Sequence, residues 1–277
     1  MNNNKVRVIA MYLPQFHPIK ENDEYWGKGF TEWTNVGKAK PLFYGHYQPR
    51  VPADLGYYDL RLPEIREAQA QMAKEAGIEG FMYWHYYFGN GKQVLERPFK
   101  EVFESGSPNF PFCLGWANHS WTTRTWTKDR RGHKNEMIIE QLYPGEQDHI
   151  DHFYSILPAL KDERYIKINE EPIFVVYSPL TIPDVSSFMF LWKRLAVENG
   201  LKGIHFVGLT SGWIENNQKV LDAGYDAIIP GNMWNAESKI KGKWRKLIEN
   251  LIRKRFPEMM LDKYRYKDII KHFYTEY

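Results

Sequence analysis

Two clusters of residues in this 277-residue chain have the types and spacing to do chemistry: Tyr83-Trp84-His85-Tyr86-Tyr87-Phe88 and, about thirty residues later, Trp116-Ala117-Asn118-His119-Ser120-Trp121. Each follows an apolar run that reads as a strand. Rings and hydrogen-bonding side chains are therefore expected to emerge together at one rim of a sheet. Surfaces of that mixed kind bind sugars, because a pyranose offers a C–H face to Trp or Tyr and a belt of hydroxyls to His, Asn and Glu. A place in the core is the alternative for any one of these rings.

Glycosidic chemistry needs a pair of carboxyl groups about the reacting bond, one as proton donor and one as base or nucleophile. Glu32, between Phe30 and Trp33, is the best placed acid, since apolar neighbours raise a carboxyl pKa. The alternative is a structural acid that caps a loop or pairs with Arg61. Asp59 reads as a helix N-cap, and Glu140 as a strand residue facing either the mouth or solvent. His17, His85 and His119 each follow a strand. Imidazoles on separate loops sometimes hold a metal, but hydrogen bonds to sugar hydroxyls are the more economical role, and neither a metal nor a cofactor is expected. Many metal-dependent sugar-nucleotide transferases place an Asp-x-Asp pair on a loop to hold a divalent ion. None occurs here.

The elements that must position these residues follow from the hydrophobic pattern. Short apolar runs alternate with amphipathic helices, the pattern of parallel strands joined by helical crossovers. The expected strands are Arg7 to Leu13, Ile78 to Trp84, Phe112 to Ala117, Ile173 to Tyr177, Ile204 to Leu209 and Ala227 to Pro230. Pro63 and Gly77 bracket one helix, Pro98 and Gly106 the next. Another carries Ile150, Phe153, Tyr154 and Leu157 up to Pro158, and a fourth carries Phe188, Leu191, Trp192 and Leu195 up to Gly200. About forty-five residues separate the first strand from its helix, too many for a plain connection. They include Gln15, His17, Trp26, Glu32, Trp33 and Gln48, an aromatic content that speaks against disorder. In a (β/α)8 barrel of the TIM type the loops after the strands build the active site, so Tyr12, Gln15, His17, Trp33, Tyr83, Trp84, His85, Trp116, Asn118, His119, Trp121 and Asn232 are expected at one mouth as substrate-binding residues. A doubly wound open sheet is the rival fold. It would carry a Gly-rich first turn, where this chain has Leu13-Pro14-Gln15-Phe16-His17.

Composition is consistent with a soluble enzyme. With 43% hydrophobic residues the chain can bury one large core. A net charge of +3 names no partner. The basic run Lys239 to Arg255 is interleaved with Trp244, Leu247, Ile248 and Leu251 at helical spacing, which reads as an amphipathic helix with a solvated face rather than a nucleic-acid or membrane patch. A single cysteine, Cys113, excludes an internal disulfide and lies in an apolar strand. No apolar run has the length of a signal peptide or a membrane span, so a cytoplasmic setting and no transmembrane segment are expected.

Several segments together resemble a known family. Tyr12-Leu-Pro-Gln-Phe-His17, Gly29-Phe-Thr-Glu-Trp-Thr-Asn35, Gly45-His-Tyr-Gln-Pro49, Asp54-Leu-Gly-Tyr-Tyr-Asp-Leu-Arg61, Tyr83-Trp-His-Tyr86 and Trp116-Ala-Asn118 are similar to the WbsX-type family, over a stretch from about Lys5 to at least Tyr225. Its members are named as glycosyltransferases of bacterial cell-surface polysaccharide loci. They are similar in fold and motif to the retaining endo-acting glycoside hydrolases of family 99. The resemblance implies a single barrel domain over residues 1–277 with an oligosaccharide or polysaccharide as partner. Two departures qualify it. His119 stands where the family usually has Glu in Trp-Ala-Asn-Glu-x-Trp. The family's Asn-Trp-Asp and Asn-Glu-Trp-Ala-Glu-Gly segments, the latter resembling the stretch with the catalytic carboxylates, do not occur. The expectation is a C-terminally incomplete barrel with about six of the eight strands. Exposed sheet edges would favour association, and the chain by itself would be without turnover. Two functions are carried forward: glycosyl transfer or hydrolysis on a surface polysaccharide, with Glu32 as catalytic acid, and a glycan-binding protein that has lost its catalytic carboxylates.

Overall fold

The computed structural model describes residues 6–123, 136–211, 214–241, 248, 251–252 and 264–273. All six expected strands form: β1 (Ile9–Tyr12), β2 (Gly80–Tyr87), β4 (Phe112–Trp116), β8 (Glu171–Val176), β9 (His205–Thr210) and β10 (Ala227–Pro230). They pair in parallel in the order β1-β2-β4-β8-β9-β10, a curled half-barrel in a mixed α/β fold. Two-residue strands flank it. β3 (Gln93–Val94) pairs with β2, β7 (Lys167–Ile168) pairs with β8, and the hairpin β5 (Trp121–Thr122) with β6 (Met137–Ile139) forms a separate small sheet.

Crossover helices cover the outer face. Helix α3 (Pro63–Glu75) follows two short helices, α1 (Lys20–Trp26) and α2 (Glu32–Lys38), and is opened by Pro63 as expected. Gly77 ends the turn behind it with a φ of 77°, a left-handed conformation cheap only for glycine. Helix α4 (Arg97–Ser105) follows β3, and α5 (Glu146–Leu160) follows β6 and runs through Pro158 for two further residues rather than ending there. Helix α6 (Val185–Glu198) buries Phe188, Leu191, Trp192 and Leu195 on one face, and Trp192 packs on Phe174 of β8 and Phe206 of β9. Helices α7 (Ile214–Asp222) and α8 (Asn232–Lys241) complete the set. A short helix at Tyr266–Ile269 lies near the end of the chain, and Trp244 and Leu247 of the expected basic helix lie outside the described residues. No helix among the described residues is long and apolar enough to cross a membrane.

Strand β2 runs three residues beyond its expected end at Trp84, and the period-2 alternation therefore continues through Tyr87. Phe81, Tyr83, His85 and Tyr87 form one row and face the helices. Met82, Trp84 and Tyr86 form the other and face the inside of the curl. Glycine at position 115 serves the inner row: a Cβ there would stand 3.2 Å from the Trp84 ring and closer still to Met82 Sδ.

Candidate functional site

Glu32 is the first residue of α2, and the local sequence fixes it there. Thr31 takes extended backbone, its hydroxyl accepts from the Trp33 N–H, and the Thr34 hydroxyl accepts from the Thr31 N–H, a reciprocal cap. One turn of chain earlier, Asn22 and Trp26 stand at i and i+4 on α1 and so share a face. Gly27 ends that helix, and Trp26 packs on Phe30 at 5.9 Å between ring centres. The loop after β1 brings Gln15 alongside, and its Nε2 donates to the Tyr86 hydroxyl at 2.6 Å.

The hairpin after β4 closes the opposite side. Ser120 Oγ accepts from the Gln141 N–H, and the Trp121 ring stands edge-on to Tyr86 and Phe88 at 5.3 and 5.7 Å. Gln15, Asn22, Trp26, Phe30, Glu32, His119, Ser120, Trp121, Thr122 and Ile138 together line a cleft of about 120 Å³. It lies at the C-terminal ends of β1, β2 and β4, where loops after parallel strands converge. Three aromatic rings and an imidazole stand beside one carboxylate, an amide pair and two hydroxyls.

Electrostatics set Glu32 apart. Half-buried, it has its carboxyl pKa pushed up to about 7 by desolvation alone. Burial also holds the Tyr86 phenol well above its ordinary value, with the nearby Glu32 charge adding to the effect. The His119 ring packs tilted against Tyr177 at 4.8 Å between centres, and burial lowers its pKa, so it is neutral at pH 7. Asp59, a candidate helix cap from sequence, instead forms a bidentate pair with Arg61, while Leu62 occupies the N-cap of α3. Arg61 is thereby engaged away from Glu32.

Of the residues expected at one mouth, Gln15, Glu32, His119 and Trp121 come together in the cleft. Trp84 lies on the inner row and meets Tyr177 at 5.6 Å, one ring removed from His119. The other expected residues are placed elsewhere. Tyr12 and Tyr83 stack on each other on the helix side, where the Tyr12 hydroxyl donates to Gln69 of α3. Trp116 is 1% exposed, donates its indole N–H to the Tyr87 carbonyl and packs on Phe188. His85, on the same outer side, meets His152 of α5 at 2.9 Å between Nε2 atoms. The alternation of β1, β2 and β4 turns these four away from the mouth.

Three more hold the framework. Trp33 donates to the Tyr58 carbonyl, and His17 is 2% exposed beneath the first loop. Asn118 ties the end of β4 to the end of β8, donating to the Ser178 carbonyl at 2.9 Å and accepting from the Ser178 N–H at 2.7 Å. Asn232 opens α8 after β10, away from the cleft lining, with its buried Oδ1 unpaired among the described residues. Asn22, Thr122 and Ile138 line the cleft without having been singled out from sequence. Trp26 and Phe30 carried a partial signal, the density of rings in the long first loop. Among the described residues no three His, Cys, Asp or Glu side chains are grouped to hold a metal.

Comparison with known proteins accords with this geometry. The chain is similar to the uncharacterized protein WxcX of Xanthomonas campestris pv. campestris in two strains, B100 and ATCC 33913, with 39% identity over 228 residues in each. That match covers 82% of this chain and 31% of each relative, so the chain spans about a third of their length. Among solved structures it resembles a GH99 endo-alpha-mannosidase from Bacteroides thetaiotaomicron, in complex with BIS-TRIS-propane (TM-score 0.51, 14% identity, 88% of this chain and 66% of that one) and without it (0.50, 16%, 90% and 68%). At such identities the likeness is one of fold. The family described as "Glycosyltransferase WbsX" matches residues 8–277. Nearly the whole chain, including every strand of the curl and every wall of the cleft, therefore belongs to the WbsX glycosyltransferase family.

Proposed function

We propose that this protein processes a bacterial surface polysaccharide in the cleft between α1, α2 and the β5–β6 hairpin, with Glu32 as the proton donor to the scissile glycosidic oxygen. One observation carries the reading: a half-buried carboxyl with its pKa pushed up to about 7 stands among aromatic rings and hydrogen-bonding side chains. A carboxyl so placed is half protonated near neutrality, the condition under which general-acid catalysis is most effective. As the bond from anomeric carbon to oxygen breaks, the Glu32 proton passes to the leaving oxygen. The oxygen of water or of an acceptor sugar then bonds to the anomeric carbon and its proton passes to the Glu32 carboxylate, restoring the acid and giving hydrolysis or transfer. Trp26, Phe30 and Trp121 offer faces for the sugar ring, while Gln15 and Asn22 offer amides to its hydroxyls.

A second reading, glycan binding without turnover, is favoured by one fact. Glu32 is the sole carboxylate lining the cleft among the described residues, and glycosidic chemistry uses two. The test is to incubate the wild type and Glu32→Gln with a panel of bacterial surface polysaccharides, following both new reducing ends and transfer to a labelled acceptor. Turnover in the wild type, falling at least about a hundredfold in Glu32→Gln with binding retained, supports the catalytic reading. Undiminished turnover in the variant sinks the assignment of Glu32. Binding by both forms with turnover by neither selects the second reading.

A further inference from the structure

The buried imidazole of His85 is left over from the cleft, and it lines a different space. Helix α5 packs along α6, but a cavity of about 510 Å³ separates it from α4 on the outer face of the sheet. Leu95, Phe99 and Phe103 stand on one side and Leu114, Ile156 and Ala159 on the other, with Gln93 and Ser155 also in the lining and the Ser155 hydroxyl spent on the His152 carbonyl. The charged groups stand at its rim: Glu96, Lys100 and Glu104 are exposed, and Lys100 is already paired with Glu104.

The hydrogen-bonding state of His85 follows from its partner. The two Nε2 atoms, 2.9 Å apart, share one proton, and His152 Nδ1 is buried with no partner. Were His85 the donor, neutral His152 would carry its own proton on Nδ1, and a buried N–H would be orphaned. Were His152 the donor, only a lone pair would be left unpaired on Nδ1, a cheaper defect. His152 therefore donates, His85 accepts at Nε2, and the remaining His85 proton sits on Nδ1. His85 is 8% exposed, and its Nδ1, unlike that of His152, is not sealed in protein. The inner part of the cavity is thus mostly apolar, with the neutral His85 N–H as its buried donor, while Gln93 and Ser155 add polar groups where it opens to solvent.

We propose that this cavity is a second ligand site, separate from the glycan cleft, that takes an uncharged and mostly apolar molecule carrying one hydrogen-bond acceptor, received by His85 Nδ1–H. A free sugar does not suit it, because Leu95, Phe99, Leu114 and Ile156 would leave most of a ring of hydroxyls buried without partners. A charged ligand does not suit it either, because the floor holds no counter-charge.

The test uses the whole chain and three probes that share a six-membered ring: cyclohexanone, methylcyclohexane and cyclohexanecarboxylate. In ¹⁵N-histidine spectra His85 is expected as the Nδ1–H tautomer, its Nδ1 resonance moving as cyclohexanone is added. Cyclohexanone should bind about fivefold to tenfold more tightly than methylcyclohexane, the scale of one neutral hydrogen bond, with cyclohexanecarboxylate weakest. His85→Phe should abolish the preference for the ketone, and Ala159→Phe should fill the cavity and exclude all three. If a variant does not fold, the wild-type tautomer and ketone preference decide alone. An Nε2–H tautomer at His85, equal affinity for ketone and hydrocarbon, a perturbation confined to the cleft, or a second copy of the chain covering the cavity in solution would each overturn the proposal.

Discussion

Gln15 Nε2 lies 2.6 Å from the hydroxyl of Tyr86, tying the loop after β1 to the inner row of β2 directly beneath Trp121. This bond is the hinge point of the cleft, because Tyr86 is buried and Gln15 is half-buried in the lining. Tyr86→Phe should leave the Gln15 amide without its acceptor and cost about 1–2 kcal/mol of stability. Glycan affinity should fall with it. Unchanged affinity by calorimetry would show that the first loop is held in place by other contacts.

Glu32→Gln separates the acid's chemistry from its burial. Its folded pKa of about 7 lies above the ordinary value of 4.5, so the native state holds the proton more tightly than the unfolded chain. The stability associated with it is present below the unfolded pKa and lost as pH rises through 7. The glutamine variant should match the wild type at about pH 4 and exceed it by about 1 kcal/mol at about pH 8, once solvent screening of a partly exposed group is allowed for. Denaturant midpoints at the two pH values measure the difference. A variant less stable at both would mean that the ionised carboxylate is held by a partner.

His119→Glu tests the position at which this chain departs from its family's usual motif. Its ring lines the cleft and is kept neutral by burial. A carboxylate there would put a second acid beside Glu32 and accept from sugar hydroxyls. Glycan binding should strengthen, most clearly at low pH, where protonation of the wild-type imidazole sets in. Equal affinity of both forms from about pH 5 to 8 would show that position 119 does not meet the ligand.

The His85–His152 pair sets an acid limit. Burial lowers the His85 pKa from 6.5 to about 4 and depresses that of His152 further, with His85 and His149 adding. Both contribute stability that is complete above pH 6.5 and lost as pH falls toward 4, roughly 3 kcal/mol from His85 alone. Tyr87 stacks on His152 and donates its hydroxyl to Asp148 at 2.8 Å, so these two groups and His149 stand next to the pair. The double change His85→Phe with His152→Phe should flatten this limb in pH-dependent unfolding. An unaltered acid limb would assign it to other groups.

Much of the architecture was legible before any coordinates. Each of the six apolar runs became a strand of the curl, because a strand buried on both faces must be apolar throughout and its neighbours are marked by Pro and Gly. The apolar setting of Glu32 was legible too, from Phe30 and Trp33 on either side of it, whereas its role in catalysis is a proposal. The faces of β2 were not. An unbroken aromatic run such as Tyr83 to Phe88 has no polar residue to mark which row looks inward, and ending the strand at Trp84 placed His85 in a loop, where direction is free. Part of the cleft's far wall was missed for another reason: Thr122 and Ile138 stand on paired strands of two and three residues, too short to leave a periodic trace.

Trp84 and His85 are adjacent codons that answer to separate surroundings, one to the inside of the curl and one to α5. Removal of a single codon upstream in β2 would exchange the two rows, burying Tyr86 against the helices and turning His85 and Tyr87 toward the sugar side. The gene segment for β2 is therefore open to substitution one residue at a time and closed to any change in its length.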